Sequence, residues 1–178
     1  PMEALLARLE PEFGSGKLFR PYRDVRFSKD KTPYKDHAGA ALYGMDGSSG
    51  LYVQLNADGL YVAGGSWRLE SDQVARLRLA VADDASGPRL AKLLTALERK
   101  GWSIGGDRLV RVPKPFDAEH PRANLLRAKS LSAGYVFEPD EWLHEPECLA
   151  KVVQHWRDLK PLLDWLGRHV GPSRPPAP

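Results

Sequence analysis

Cysteine is nearly absent: Cys148 is the single one in 178 residues, so no internal disulfide can form and a reducing compartment suits the chain. Long apolar runs are missing too. Stretches such as Leu51 to Leu55 fall far short of the roughly 18 residues of a membrane-spanning helix, which argues against insertion in a membrane. No basic-then-apolar leader opens the chain, so the expectation is a cytoplasmic protein with no membrane partner. Cofactor motifs are equally scarce. There is no phosphate-loop pattern, and His144, His155, His169 and Cys148 lack the spacing that gathers metal ligands, so neither a metal nor a cofactor is expected. Nor is there an internal repeat or a linker that would split the chain.

What is present is the composition of an ordinary globular protein, with 42% hydrophobic and 28% charged residues, which is enough to build one core. The expectation is a single domain over residues 1–170 with a Pro-rich flexible tail at 171–178. Charge is unevenly placed. Between Gly14 and His37 seven Lys and Arg meet three Asp, whereas the rest of the chain carries 19 bases against 20 acids; the whole positive excess therefore lies in one segment.

Periodicity places the elements. Met2, Leu5, Leu6, Leu9 and Phe13 follow one helical face, which Pro11 should end or bend. Arg23 to Phe27, Gly39 to Met45, Leu51 to Leu55 and Leu60 to Ala63 read as strands, with Asn56-Ala57-Asp58-Gly59 as a turn between the last two. Gly64-Gly65 should free the backbone ahead of Trp67. Ser71 can cap a helix carrying Val74, Leu77 and Val81, and Ser86-Gly87-Pro88 opens another that Gly101 stops. Trp102 to Ile104, Leu109 to Val112 and Tyr135 to Phe137 read as further short strands, with a helix from Pro121 that includes Leu125 and Leu126. His120 suits the cap of that helix. A long apolar stripe from Leu149 to Leu166 stays in phase across Pro161, giving one kinked helix. Strands gathered centrally with helices at both ends predict an α+β fold, a largely antiparallel sheet flanked by helices.

The basic segment is the natural place for an anion. Arginine offers a planar fork of donors matched to phosphate or carboxylate, and lysine a mobile point charge. Arg20, Arg23, Arg26, Lys29 and Lys35 are the candidate contacts, provided they face a shared hollow; the expected partner is an anionic small molecule, phosphorylated or not. Asp24 and His37 could act as base and acid beside it, and Trp67 with Arg68 could present a planar pair to the same ligand. No reaction is assigned. The plainer use of these bases is a solvated face, or internal pairing with Asp24, Asp30 and Asp36. Phe19, Tyr22, Phe27 and Tyr34, interleaved with the bases, could stack on unpaired nucleobases or anchor the segment on the sheet. A nucleic-acid or acidic-protein binding module, or a structural protein with no small ligand, thus stays open. So does a homodimer: Trp165 lies off the main stripe of the last helix and could contact a second element or a partner chain.

The run Phe19-Arg20-Pro21-Tyr22-Arg23-Asp24-Val25-Arg26-Phe27, continuing to Lys35, resembles the DUF2461 family of uncharacterised proteins. The resemblance continues through Gly64 to Arg68, Arg111 to Lys114, His120-Pro121, Leu125 to Leu131 and Pro161 to Leu166. It implies no established activity, substrate or cofactor, so it transfers no catalytic residue. It also implies an additional N-terminal helical stretch ahead of Pro1, which would make this chain a fragment or a trimmed form.

Overall fold

Leu51 and Val53 are buried while Tyr52 and Gln54, which alternate with them, are half-buried, the two-residue period of a strand with one strongly apolar face. The computed structural model describes residues 2–22, 26, 32–43 and 49–173, and in it this strand, β3 (Gly50–Asn56), lies within a six-stranded sheet. The other strands are β1 (Gly16–Leu18), β2 (Ala38–Tyr43), β4 (Gly59–Ser66), β5 (Ser103–Gly105) and β6 (Leu131–Phe137). Their order is β1-β2-β3-β4-β6-β5, and every pairing is antiparallel. The helices are α1 (Met2–Phe13), α2 (Ser71–Ala82), α3 (Ser86–Arg99), α4 (Ala123–Leu126) and α5 (Glu147–His169). The fold is α+β.

The core lies between one face of the sheet and the helices. Leu42, Leu51, Val53, Leu60, Val62, Leu131 and Ala133 share that face by register and pack with Leu6, Leu9, Leu90, Leu94 and the α5 stripe. Val152, Trp156, Leu159, Leu162 and Leu166 of α5 are all fully buried at three- and four-residue steps. Each such leucine contributes about 1.5–3 kcal/mol by leaving water. Pro161 sits on the exposed side of α5, so its ring disturbs only the solvent side and the helix continues past it. The opposite face of the sheet carries Tyr52, Gln54, Tyr61, Gly50, Gly65 and Gly134, and none of these belongs to the core cluster.

Several elements differ from the sequence reading. β4 runs straight through Gly64 and Gly65 to Ser66 instead of ending before them. A Cβ on Gly64 would lie 2.7 Å from Leu159 Cδ1, so glycine is what lets α5 pack this closely on the strand. Leu109 to Val112 is not a strand. Arg108 bridges Ala128, Leu109 N–H donates to Arg127 O at 2.7 Å, and then the chain departs with Val110 88% exposed. Pro113 and Pro115, which follow, have no N–H to extend a ladder. β6 begins at Leu131, earlier than its aromatic end suggests, because Ala133 and Gly134 are too small to stand out in the pattern. Glu70, not Ser71, occupies the cap of α2, and its N–H donates to Gln73 Oε1 at 3.0 Å. α1 continues two residues past Pro11.

Other expectations hold. α3 ends at Arg99, with Gly101 at φ 89° just beyond Lys100. His120 Nδ1 accepts from the N–H of Arg122, but it is Arg122 that occupies the cap of α4, and the helix begins at Ala123 and not at the expected Pro121. Trp165 meets a second element, since its Nε1 donates to Ser86 O at 3.2 Å and the ring is buried. At the C-terminal end, Gln73 and Ser173 tie residues 171–173 to α2, while 174–178 lie outside the described residues. No helix is long and apolar enough to cross a membrane among the described residues.

Candidate functional site

The basic segment leaves the sheet as an extension of the β1–β2 hairpin. The ladder pairs Gly16 with Leu42 and Leu18 with Ala40, and Phe19 N–H adds one more bond, to Gly39 O at 2.9 Å. Pro21 and Pro33 then interrupt regular pairing because neither has a donor. The two arms are still clipped together: Lys35 N–H donates to Pro21 O at 2.8 Å, and the Tyr22 and Tyr34 rings lie 5.4 Å apart.

Arg20 and Arg26 are exposed on this arm. Lys35 is half-buried, with Nζ 5.4 Å from the centre of the Phe19 ring, a cation–π contact. His37 Nδ1 lies 2.8 Å from Asp36 Oδ1, beside an exposed carboxylate. Arg23, Asp24 and Lys29, together with most of the strand expected from Arg23 to Phe27, lie outside the described residues.

Phe19 turns onto the sheet face opposite the helices, where its ring lies 6.1 Å from that of Tyr52. Beside it opens a hollow of about 430 Å³. Gly50 and Gly65, directly paired across β3 and β4, lie in it. Gly65 has φ 145°, and a Cβ there would collide with the backbone of Leu131 and Ser132, so only glycine fits. The aromatic residues Phe19, Tyr43 and Trp67, the serines Ser49 and Ser66, and Arg68 complete its lining. Further along the same face Tyr52 Oη donates to Gln54 Oε1 at 2.7 Å. Burial pushes the Tyr52 phenol above its usual range, with neighbouring Tyr61 adding to the effect, and burial alone does the same to Tyr61. Both stay neutral at physiological pH, offering hydroxyls instead of charge.

The hollow thus collects Trp67 and Arg68 from the residues the sequence singled out, with Lys35 one ring away over Phe19. Arg20, Arg26 and His37 do not line it. Tyr43, Ser49 and Gly50 went unnoticed in the sequence. The phase of β3 was the available signal: Gly50 shares its face with Tyr52, and register places Tyr43 opposite Gly50. No carboxylate is among the described residues lining the hollow, so the arrangement is one for holding a ligand, and nothing in it singles out a proton-transfer pair.

A family model described as a conserved hypothetical protein, DUF2461, matches residues 1–165. The chain belongs to the DUF2461 family. No curated protein matches it, and no solved structure does. The part of this DUF2461 protein that matches includes the whole basic arm and every residue lining the hollow.

Proposed function

We propose that this DUF2461 protein binds an anionic small molecule carrying a flat ring, a phosphorylated one being the best fit, in the hollow beside the basic arm. One observation carries the reading: the aromatic residues Phe19, Tyr43 and Trp67 line a single hollow with Arg68, Gly50 and Gly65. The rings accept a planar group by stacking, the glycines let it approach the backbone, and Arg68 offers a fork to the anion. Lys35 stands beside Phe19 as a second charge. Arg20, Arg23, Arg26 and Lys29 act from the arm, raising the local concentration of anions. Asp24 and His37 receive no part in binding. The lone half-buried thiol, Cys148, supports a cytoplasmic location.

Thermal unfolding against a panel of nucleotides, sugar phosphates and carboxylates tests this, because a ligand held only by the native state raises Tm. A rise with ring-bearing phosphates that disappears in Trp67→Ala and Arg68→Gln supports the reading. A flat panel, or a shift indifferent to both substitutions, overturns it.

One observation favours a second reading, single-stranded nucleic acid on the arm itself: the stacked Tyr22 and Tyr34 are 63% and 56% exposed among bases. Oligonucleotide binding that falls steeply with salt and is lost in Tyr22→Ala, while Trp67→Ala leaves it intact, would favour it over the hollow.

A further inference from the structure

A second cavity, of about 450 Å³, lies between α3 and α5 and shares no residue with the hollow described above. The two helices run antiparallel. Trp165 Nε1 donates to Ser86 O at 3.2 Å near one end, and Lys100 Nζ to Asp158 Oδ1 at 2.7 Å near the other. Into the groove between them α3 turns Arg89, Lys92, Leu93 and Ala96, and α5 turns Pro161, Asp164, Trp165, Arg168 and His169. Each set follows the three- and four-residue steps of one helical face.

Because the helices are antiparallel, the start of α3 meets the end of α5. The groove therefore has a direction: Arg89 and Arg168 lie toward one end, Ala96 and Pro161 toward the other, and Lys92 and Leu93 are level with each other between them. Among the described residues no ion pair engages Arg89, Lys92 or Arg168. The one carboxylate in the groove, Asp164, is already held by Lys160, whose Nζ lies 2.9 Å from both its oxygens. His169 reports the same positive field. Burial first, then Arg168 and more weakly Arg89, lower its pKa below the usual histidine value, while Asp83 opposes them. Asp83 is occupied by the N–H groups of Ala85 and Ser86, and Arg76 of α2, which flanks His169 on its other side, is paired with Asp72.

We infer that this groove binds a small organic anion with a compact apolar body. The oxyanion head lies among Arg89, Lys92 and Arg168, and an alkyl or aryl body covers Leu93, Ala96 and Pro161. Uncompensated bases at one end of an apolar trough of ligand size are the chemistry that selects an amphiphile over a bare ion or a neutral hydrocarbon.

Calorimetric titration of the full chain with octanoate, octyl phosphate, octanol and inorganic phosphate tests this. Octanoate or octyl phosphate should bind, the stronger of the two naming the head group, with octanol and inorganic phosphate at least about tenfold weaker, the scale of one charge-assisted hydrogen bond. Arg89→Gln with Arg168→Gln should weaken the amphiphile by about tenfold or more; both side chains are exposed, so Tm serves as the check that the variant folds. Bound anion should also raise the His169 pKa in an NMR titration. Trp67→Ala should leave all this unchanged, which separates a failure here from a failure at the first hollow. Equal affinity for octanoate and octanol, absence of amphiphile binding, or binding indifferent to the double substitution overturns the inference. So does an acidic helical peptide that binds this groove while octanoate does not, which would make the occupant a protein.

Discussion

Trp67 lies against Gly50: its Cζ3 is 3.3 Å from the point a Cβ on that glycine would occupy, and Leu42 O is 2.9 Å from the same point. The ring and the strand backbone are in contact because nothing stands between them. Gly50→Ala forces either the indole or β2 to move. It should cost about 1–3 kcal/mol in urea unfolding, as overpacking does. It should also change the near-ultraviolet circular dichroism of Trp67 and abolish the ligand-induced rise in Tm.

On the other face of the sheet, Gly64 and Leu159 share one space. Leu159→Ala should cost about 2–5 kcal/mol through the cavity it leaves, and Gly64→Ala about 1–3 kcal/mol through crowding. The double variant should be more stable than the sum of the two losses implies, because the added methyl enters the vacated volume. Chemical denaturation of the four proteins in the cycle measures this; strict additivity would show that the two sites do not compete for that space.

Arg122 closes the end of α2. Its Nε donates to Val81 O at 2.7 Å and its Nη2 to Ala82 O at 2.9 Å, with Asp84 Oδ1 at 3.1 Å, and the side chain is only 12% exposed. Arg122→Ala should destabilise by about 1.5–3 kcal/mol, the scale of bonds from a charged donor. Arg122→Lys should rescue little, since an ammonium cannot span both carbonyls as a planar fork does. Unfolding midpoints of the two variants decide between charge and geometry.

Glu12 and Arg157 join α1 to α5 by two bonds, at 2.7 and 2.8 Å, across the exposed surface. Hydrogen bonding to the Arg157 guanidinium holds the Glu12 carboxyl below its usual range; burial opposes it, and the charge of Arg157 adds to the lowering. A carboxyl whose folded pKa is depressed stabilises the fold above its unfolded pKa. That stabilisation is lost as pH falls through the folded value. Glu12→Gln should therefore lower stability slightly in the neutral region, the pair being solvent-exposed and screened by salt, and flatten the acid limb by the same amount, so that variant and parent converge at low pH. An acid limb of unchanged slope would show that the pair does not couple α1 to α5.

His169 stays neutral at a pH where an ordinary surface histidine has begun to take up its proton. Its folded pKa is lowered, by burial first and by Arg168 next, so the unfolded chain takes up the proton at higher pH than the folded one. Its stabilising effect is complete above the unfolded histidine pKa and is lost as pH falls from there to the folded value. NMR titration should show His169 titrating below a histidine in the denatured chain, and Asp83→Asn should lower it further.

The amino-acid order alone determined most of the elements and the side of each that is buried. Alternation of Leu51 and Val53 with Tyr52 and Gln54, the stripe from Leu149 to Leu166 and the Gly101 stop are local signals, set by backbone geometry within a few residues. Local pattern misread Gly64-Gly65 and Leu131 to Gly134, where small residues are chosen for what approaches them from elsewhere in the chain. The basic arm was visible as a run of charge, but its relation to Trp67 and Arg68 was not. Phe19, Tyr43, Gly50 and Trp67 meet only through the register of β1 to β4, and Arg89 meets Arg168 only because α3 and α5 pack antiparallel. Those meetings are decided by non-local pairing and packing, whose free energy no short window of sequence contains.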